Sequence, residues 1–395
     1  MTAQKCAMFV ESPTPFGAIS WLERGAYMRV AVIGCGVVGA AIAYELSQEQ
    51  GLDVLVLDQH PPAQGATGAA LGVLMGVISH KVKGRTWQLR QTSMQRYETL
   101  IPELEEQTGQ EIPFNRQGIL SLCFSPDDLP KWEKLVGIRR TQGWRLEIWT
   151  PQQAVTECPY LNIEHVSAAI YSPHDRQVAP SALTLALVAA AQQNGAVFQF
   201  DRQVTGFEVK SAGNGLQACQ TLKVSKETIP VDWVVISAGL GSTGLTASVE
   251  SPVDIRPVLG QALQLQLAAP LGNPDFQPVV NGADIHLVPL GQGGYWIGAT
   301  VEFPAETGME NLTDLNPDPQ QMKALLRGAI GYCPALENAA VVKHWSGLRP
   351  RPQGQPAPVI NPLAGYSNIL LAAGHYRNGV LLAPATAQAV RAAIT

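Results

Sequence analysis

Six residues near the start of the chain, Gly34-Cys35-Gly36-Val37-Val38-Gly39, leave few folds open. An apolar run, Val30 to Ile33, enters them, and a small-residue stretch, Ala40 to Leu46, leaves them. A second apolar run, Val54 to Leu57, then ends in Asp58. Strand, turn, helix, strand, carboxylate is the order of a dinucleotide-binding unit. Gly34 permits the tight turn, Gly36 lets backbone approach a pyrophosphate, and Gly39 lets the helix pack closely on the strand. Phosphates then meet unpaired N–H groups at the positive end of the helix dipole. Asp58 is placed to accept from a ribose hydroxyl. Glycines alone could serve a plain turn; with both strands and the acid present, they point to a dinucleotide site.

At 395 residues the chain is too long for one compact core and suits two domains. A formal net charge of −5 without a basic patch argues against nucleic acid as a partner. No apolar run reaches the length of a membrane span. Cys6, Cys35, Cys123, Cys158, Cys219 and Cys333 show neither CxxC nor Cys/His spacing. Reduced thiols, no metal centre and a cytoplasmic location are therefore expected. Cys35, inside the glycine turn, reads as a small packing residue.

Residues 1–27 read as an extension ahead of the first strand, without the basic start and apolar stretch of a secretory signal. The small-residue segment Gly65 to Leu74 suits backbone lying against a ligand. Trp87, Met94, Tyr97, Ile101 and Leu104 recur at helical spacing from about Thr86, and Pro102 should kink or restart that helix. Gly118 to Phe124 reads as a strand, and Thr150-Pro151 as a helix cap. A helix from Pro180 to Asn194-Gly195 precedes a strand at Val197 to Phe200 and a hairpin, Gly206 to Lys210 with Gln217 to Val224. Val231 to Gly239 is a buried strand whose glycine end meets a ligand in parallel sheets. Leu263, Leu265 and Leu267 alternate with glutamines, as in a sheet with one polar face. Strands follow near Ile285 to Val288 and Tyr295 to Thr300, then a helix from about Pro319 to Ala329. The expected class is α/β. A Rossmann-like, doubly wound parallel sheet is drawn from 28–85, 175–250 and 340–395. A second α+β domain on a mostly antiparallel sheet comes from 86–174 and 251–339.

Three further segments narrow the reading: GATGAALG from Gly65, GLRP from Gly347 to Pro350, and GHYRNGVLLAPAT from Gly374 to Thr386. With the glycine turn they make the chain resemble the D-amino-acid oxidase family of flavoproteins, nearest its glycine oxidase branch, from about Arg29 to Ile394. The resemblance implies FAD. It places Val37, Val38, Asp58 and Gln59 on the nucleotide, and Ala66, Thr67, Leu71, Gly72 and Val73 along the pyrophosphate and isoalloxazine. Val204 would pair with the adenine, and His375, Tyr376, Arg377, Asn378, Gly379, Val380 and Leu381 would wrap the pyrimidine end of the flavin. A glycine turn entering a helix aims N–H donors at the ring edge where reduced flavin is negative. Pro384 fits the first turn of that helix better than its interior. No cysteine follows Cys333, so the C-terminal thioether of some sarcosine oxidases is excluded and FAD should be non-covalent.

By the same resemblance Arg349 of GLRP binds a substrate carboxylate, which a planar guanidinium matches with two parallel hydrogen bonds. At about 4 Å and an effective dielectric near 20 such a pair gains roughly 4 kcal/mol before desolvation. Arg377 would add positive potential nearby, unless it serves a structural ion pair. His286 stands where glycine oxidases usually carry a carboxylate-binding tyrosine, and Val301 where they carry methionine. For His286 a structural hydrogen bond and a substrate contact both stay open. The reaction implied is oxidation of a small amino acid such as glycine, sarcosine or a D-amino acid. A hydride passes from Cα to flavin N5, and O2 returns as H2O2, as in enzymes of thiamine biosynthesis. A homo-oligomer fits the family too. The alternatives are a dehydrogenase serving a quinone or carrier, and a non-catalytic FAD-binding assembly protein.

Overall fold

The computed structural model describes residues 27–213, 215–304 and 317–395, so the expected N-terminal extension lies outside the described residues apart from Tyr27. The first sheet contains β1 (Met28–Ile33), β2 (Leu52–Leu57), β3 (Val197–Gln199), β4 (Trp233–Ile236), β5 (Val359–Pro362) and β6 (Ile369–Ala373). Their order is β5-β6-β4-β1-β2-β3, and only β5 runs antiparallel to its neighbour. Successive residues of a strand point to opposite faces, and here both faces are covered. Val30, Val32, Val54 and Val56 pack with helices α1 (Val37–Ser47), α2 (Gly84–Thr108), α3 (Pro180–Gln193) and α4 (Gly379–Ile394). Ala31, Ile33, Leu55 and Leu57 face Cys219, Leu222 and Val224 of an antiparallel meander, Val204–Gly213, Leu216–Val224 and Glu227–Pro230. Double burial explains why these strands read as unbroken apolar runs.

The second sheet has eight strands. Its core is Ala340–Pro352, Ile255–Gln266, Gly294–Gly298, Ile285–Gly291, Val279–Gly282 and Ile119–Cys123, in that spatial order. Within this set only the Val279–Gly282 and Ile119–Cys123 pair is parallel. The alternation seen at Leu263 and Leu265 is real: both are buried on the rear face against the helix Pro319–Tyr332. One expectation is corrected here. Ala340–Pro352, assigned from sequence to the first domain, pairs along its length with Ile255–Gln266 and forms the edge of the second sheet.

The two prolines are accommodated in different ways. Pro102 does not restart its helix; α2 runs unbroken from Gly84 to Thr108. It lies on the exposed side, where water can satisfy the Glu98 carbonyl that lost its donor. Pro384 is buried inside α4, not in its first turn. It therefore withholds an N–H from the Val380 carbonyl one turn back. The buried hydroxyl of Tyr97 donates to that carbonyl at 2.5 Å, and Ser93 Oγ accepts from Ala385 N at 3.2 Å. Thus α2 supplies bonds that α4 cannot make for itself. Tyr97→Phe should cost about 1–3 kcal/mol by orphaning the Val380 carbonyl. Pro384→Ala, which restores the helical N–H, should recover part of the loss, and chemical denaturation of the two single variants and the double variant would measure the coupling.

Candidate functional site

The glycine turn is built as its spacing requires. Gly34 has φ +105°, and a β-carbon there would sit 2.6 Å from the Ser237 carbonyl oxygen. A β-carbon at Gly39 would lie 1.9 Å from the Gly34 carbonyl oxygen, so α1 touches the turn it leaves. No acidic side chain occupies the first turn of α1, and Gly36 offers no side-chain cap. Thr67 Oγ1 accepts from Val37 N at 3.0 Å, which leaves Val38 and Gly39 in a first turn whose N–H groups lack intrahelical partners. Asp58 reaches back from the end of β2, its Oδ2 accepting from Cys35 N at 2.6 Å and its Oδ1 from His60 N at 2.9 Å. Burial, then Asp58, pushes the Cys35 thiol up to about 12, so it packs and does not react. Val204 shares a core with Ile33 and Leu57 on this side of the sheet. Gly239, at φ +56°, has open space where a side chain would project, and Gln59 is exposed.

Ala66 and Thr67 start a short helix, Ala66–Ala69, and the chain then passes Leu71, Gly72 and Val73. Gly72, at φ +70°, could not carry a β-carbon, which would meet the Val178 carbonyl oxygen at 1.8 Å. This segment lies across the front of the second sheet. A β-carbon on Gly347 would come within 2.3 Å of Ala69 Cβ, and one on Gly298 within 2.8 Å of Leu71 Cδ1. Trp345 Nε1 donates to the Ala69 carbonyl at 3.0 Å.

Register and alternation say what that front carries. Ser121, Asn281, His286, Gly298, Ala262 and Trp345 are successive cross-strand partners, so they share one face. One pair further along the strands come Gly260 and Gly347, then Val258 and Arg349. The front is thus a floor of Gly298, Ala262, Gly260 and Gly347. Arg349 folds over it: its guanidinium lies 2.3 Å from where a Gly260 β-carbon would be. Its hydrogen bond among the described residues runs from Nη1 to the Leu259 carbonyl at 3.2 Å. Burial and the nearby Arg377 pull the Arg349 pKa down, while Tyr376 and Glu302 oppose them.

The turn before α4 abuts the same strand end, with Pro352 packed 3.3 Å from where a Gly374 β-carbon would sit. Tyr376 takes φ +54°, and the exposed Arg377 holds its guanidinium 5.8 Å from the Tyr376 ring. The sequence placed His286, Arg349 and Arg377 together, and they are electrostatic neighbours. Burial pushes His286 down to about 4, with Asp284 pulling up and both arginines pushing further down. Gly379, Val380 and Leu381 open α4, whose first turn holds no acid and whose N-cap, Asn378, makes no side-chain cap. Two uncapped, acid-free helix starts, at Gly36 and Asn378, suit the pyrophosphate and the electron-rich flavin edge of FAD.

His375 turns inward, its Nε2 2.9 Å from Thr386 Oγ1, and burial pushes it down to about 4. Its folded pKa lies below the unfolded value of about 6.5, so the unfolded chain binds the extra proton. That contribution is complete above pH about 6.5 and is lost as the pH falls toward 4, on the order of 3 kcal/mol in all. Denaturant unfolding of the flavin-loaded protein from about pH 7 to about pH 4 should show this slope together with that of His286, and His375→Gln should remove the His375 share.

Sequence reasoning missed the fastening beneath this turn. Asp175, fully buried, accepts from Gly76 N, Val77 N and Ile78 N at 2.6–2.8 Å. Burial raises its pKa, and these backbone bonds lower it. Arg139 donates to the Val77, Ser79 and Lys81 carbonyls while its guanidinium stacks 3.7 Å over Trp87. Arg90 joins the Met75 carbonyl to Asn378 Oδ1 at 2.7 and 3.1 Å, tying this loop to the turn before α4. Among the described residues the five cysteines are free and buried, no cluster suits a metal ion, and no helix is long and apolar enough to cross a membrane.

Known proteins share this sequence family and this fold. Glycine oxidase from Geobacillus kaustophilus is 29% identical over 90% of this chain and 90% of its own. Its crystal structure superposes with a TM-score of 0.80 over 93% of this chain and 95% of that one. The bifunctional protein ThiO/ThiG of Synechocystis is 32% identical over 91% of this chain, which spans 50% of that longer protein. A family model described as FAD dependent oxidoreductase matches residues 29–393. The chain therefore belongs to the FAD-dependent oxidoreductases of the D-amino-acid oxidase type, and FAD is its cofactor.

Proposed function

We propose that the chain oxidises a small α-amino acid, glycine or a near relative, with O2 as the final acceptor and H2O2 as product. The observation that carries this reading is Arg349: a partly buried guanidinium spread over Gly260, on the floor facing the FAD-binding segment, with no carboxylate partner among the described residues. A fork of this kind matches a carboxylate with two parallel hydrogen bonds. The positive potential of Arg349 and Arg377 also disfavours a second positive charge beside them, which helps the bound ammonium shed its proton to solvent. Bound FAD supplies the acceptor for the hydride leaving Cα. The protein fixes the carboxylate, aims Cα and covers the site with Leu71 and Val73.

The test is a panel of glycine, sarcosine, small D-amino acids and cyclic imino acids on purified protein. At least one should bleach the flavin anaerobically and generate peroxide in air. Bleaching without peroxide, with electrons passing to an artificial dye, would point to the dehydrogenase instead. A flavin that no amino acid bleaches would leave a binding protein. Acid denaturation should release the FAD.

A further inference from the structure

Two polar atoms on the site floor have no partner among the described residues: Asn281 Oδ1 and His286 Nδ1, both buried. Their residues are direct cross-strand partners, so the two side chains stand side by side on the face that carries Arg349. The Asn281 amide is oriented by Ser121, whose Oγ accepts from Nδ2 at 3.1 Å, so the carbonyl oxygen is the end left over. The imidazole stays neutral beside two guanidiniums, because burial and both arginines oppose its protonation. A neutral imidazole offers Nδ1 as an acceptor in the tautomer that keeps the proton on Nε2. Two adjacent unpaired acceptors call for one donor carrying two hydrogens, because an unpaired buried polar atom costs roughly 1–3 kcal/mol.

We propose that Asn281 Oδ1 and His286 Nδ1 together seat the amino group of the substrate, opposite the carboxylate held by Arg349. The proposal rests on the amino-acid reading above and sharpens it into a rule about the nitrogen. A primary or secondary amine keeps at least two N–H bonds as the ammonium and fills both acceptors. A tertiary amine keeps one and leaves an acceptor bare. The spacing allows it: His286 lies two strands from Gly260, about 9.6 Å, and one pair along, about 7 Å, so the positions stand about 12 Å apart on one face, and Arg349 is near enough to His286 to oppose its protonation. Asn281 Oδ1 can only accept, so it suits an ammonium and not a carboxylate.

The experiment uses the FAD-loaded enzyme and two probes. The best amino-acid substrate reports both anchors through the concentration dependence of anaerobic flavin reduction. Acetate reports the carboxylate anchor alone through its perturbation of the flavin spectrum. Asn281→Leu and His286→Phe should each weaken the amino acid roughly 10- to 100-fold while moving acetate less than about 2-fold. Asn281→Asp, which keeps an acceptor, should retain amino-acid binding even if Asn281→Leu folds poorly. The N,N-dimethyl derivative should bind the parent enzyme no more tightly than acetate. An amino acid unaffected by both substitutions, or acetate weakened as much as the amino acid, would overturn the seat; so would tight binding of the dimethyl compound. Acetate binding that survives Arg349→Ala would instead break the carboxylate reading, while the parent-to-dimethyl ratio still decides the seat.

Discussion

Arg349→Ala should raise KM for the preferred amino acid by about 10²- to 10³-fold and leave FAD bound. Removing one partner of a desolvated charge pair costs roughly 3–5 kcal/mol, and each 1.4 kcal/mol is tenfold. The fold should tolerate the change, because among the described residues the guanidinium's hydrogen bond is one contact of 3.2 Å to the Leu259 carbonyl. Arg349→Lys keeps the charge but loses the fork and should fall between the two. Gly260→Val offers an independent arm: its β-carbon would occupy the place of the guanidinium, 2.3 Å away, and push an intact arginine aside. Steady-state kinetics, with flavin content measured by absorbance, would check all three. Wild-type KM in Arg349→Ala would remove the basis of the proposed function.

The second large effect should come from a residue that no substrate touches. Asp175→Ala strips the acceptor from three consecutive backbone N–H groups, at Gly76, Val77 and Ile78. At about 1–3 kcal/mol for each orphaned donor, the loss is a large part of the 5–15 kcal/mol that ordinarily holds a domain together. The damage should also reach the cofactor, because Arg90 links the Met75 carbonyl of this loop to Asn378 at the start of α4. Asp175→Asn keeps the oxygen that serves Gly76 and Val77 and should cost about a third as much. Denaturant unfolding followed by release of flavin fluorescence would rank the two variants. An alanine variant as stable as its parent would show that the loop is held elsewhere.

What could be read in advance was whatever lies close together along the chain. The turn at Gly34 to Gly39, the acid at Asp58 and the cap at Thr150-Pro151 are local devices in which backbone geometry selects the residue type. Thr150 in fact forms a complete capping box with Gln153. Asp175 and its three donors, by contrast, are separated by 97–99 residues, and nothing beside Asp175 announces them. Gly260 drew no reading from the sequence; that it leaves space for a guanidinium 89 positions on is a fact of register. Pro384 misled because helix rules count bonds within one helix, and Tyr97 satisfies the broken one from another. The edge strand Ala340–Pro352 was misassigned because chain order says little about which sheet a strand joins.

The second sheet has one further consequence. Along Ile255–Gln266 the even positions Val258, Gly260 and Ala262 look toward the flavin side, while the odd positions Gln261, Leu263 and Leu265 look toward the supporting helix. A period of two thus assigns the two faces of a single ribbon of chain to two different neighbours. Changes on one set of alternate letters would therefore be felt by the Leu71 segment, and changes on the other by the helix behind. A single inserted residue would exchange the two sets and ruin both at once.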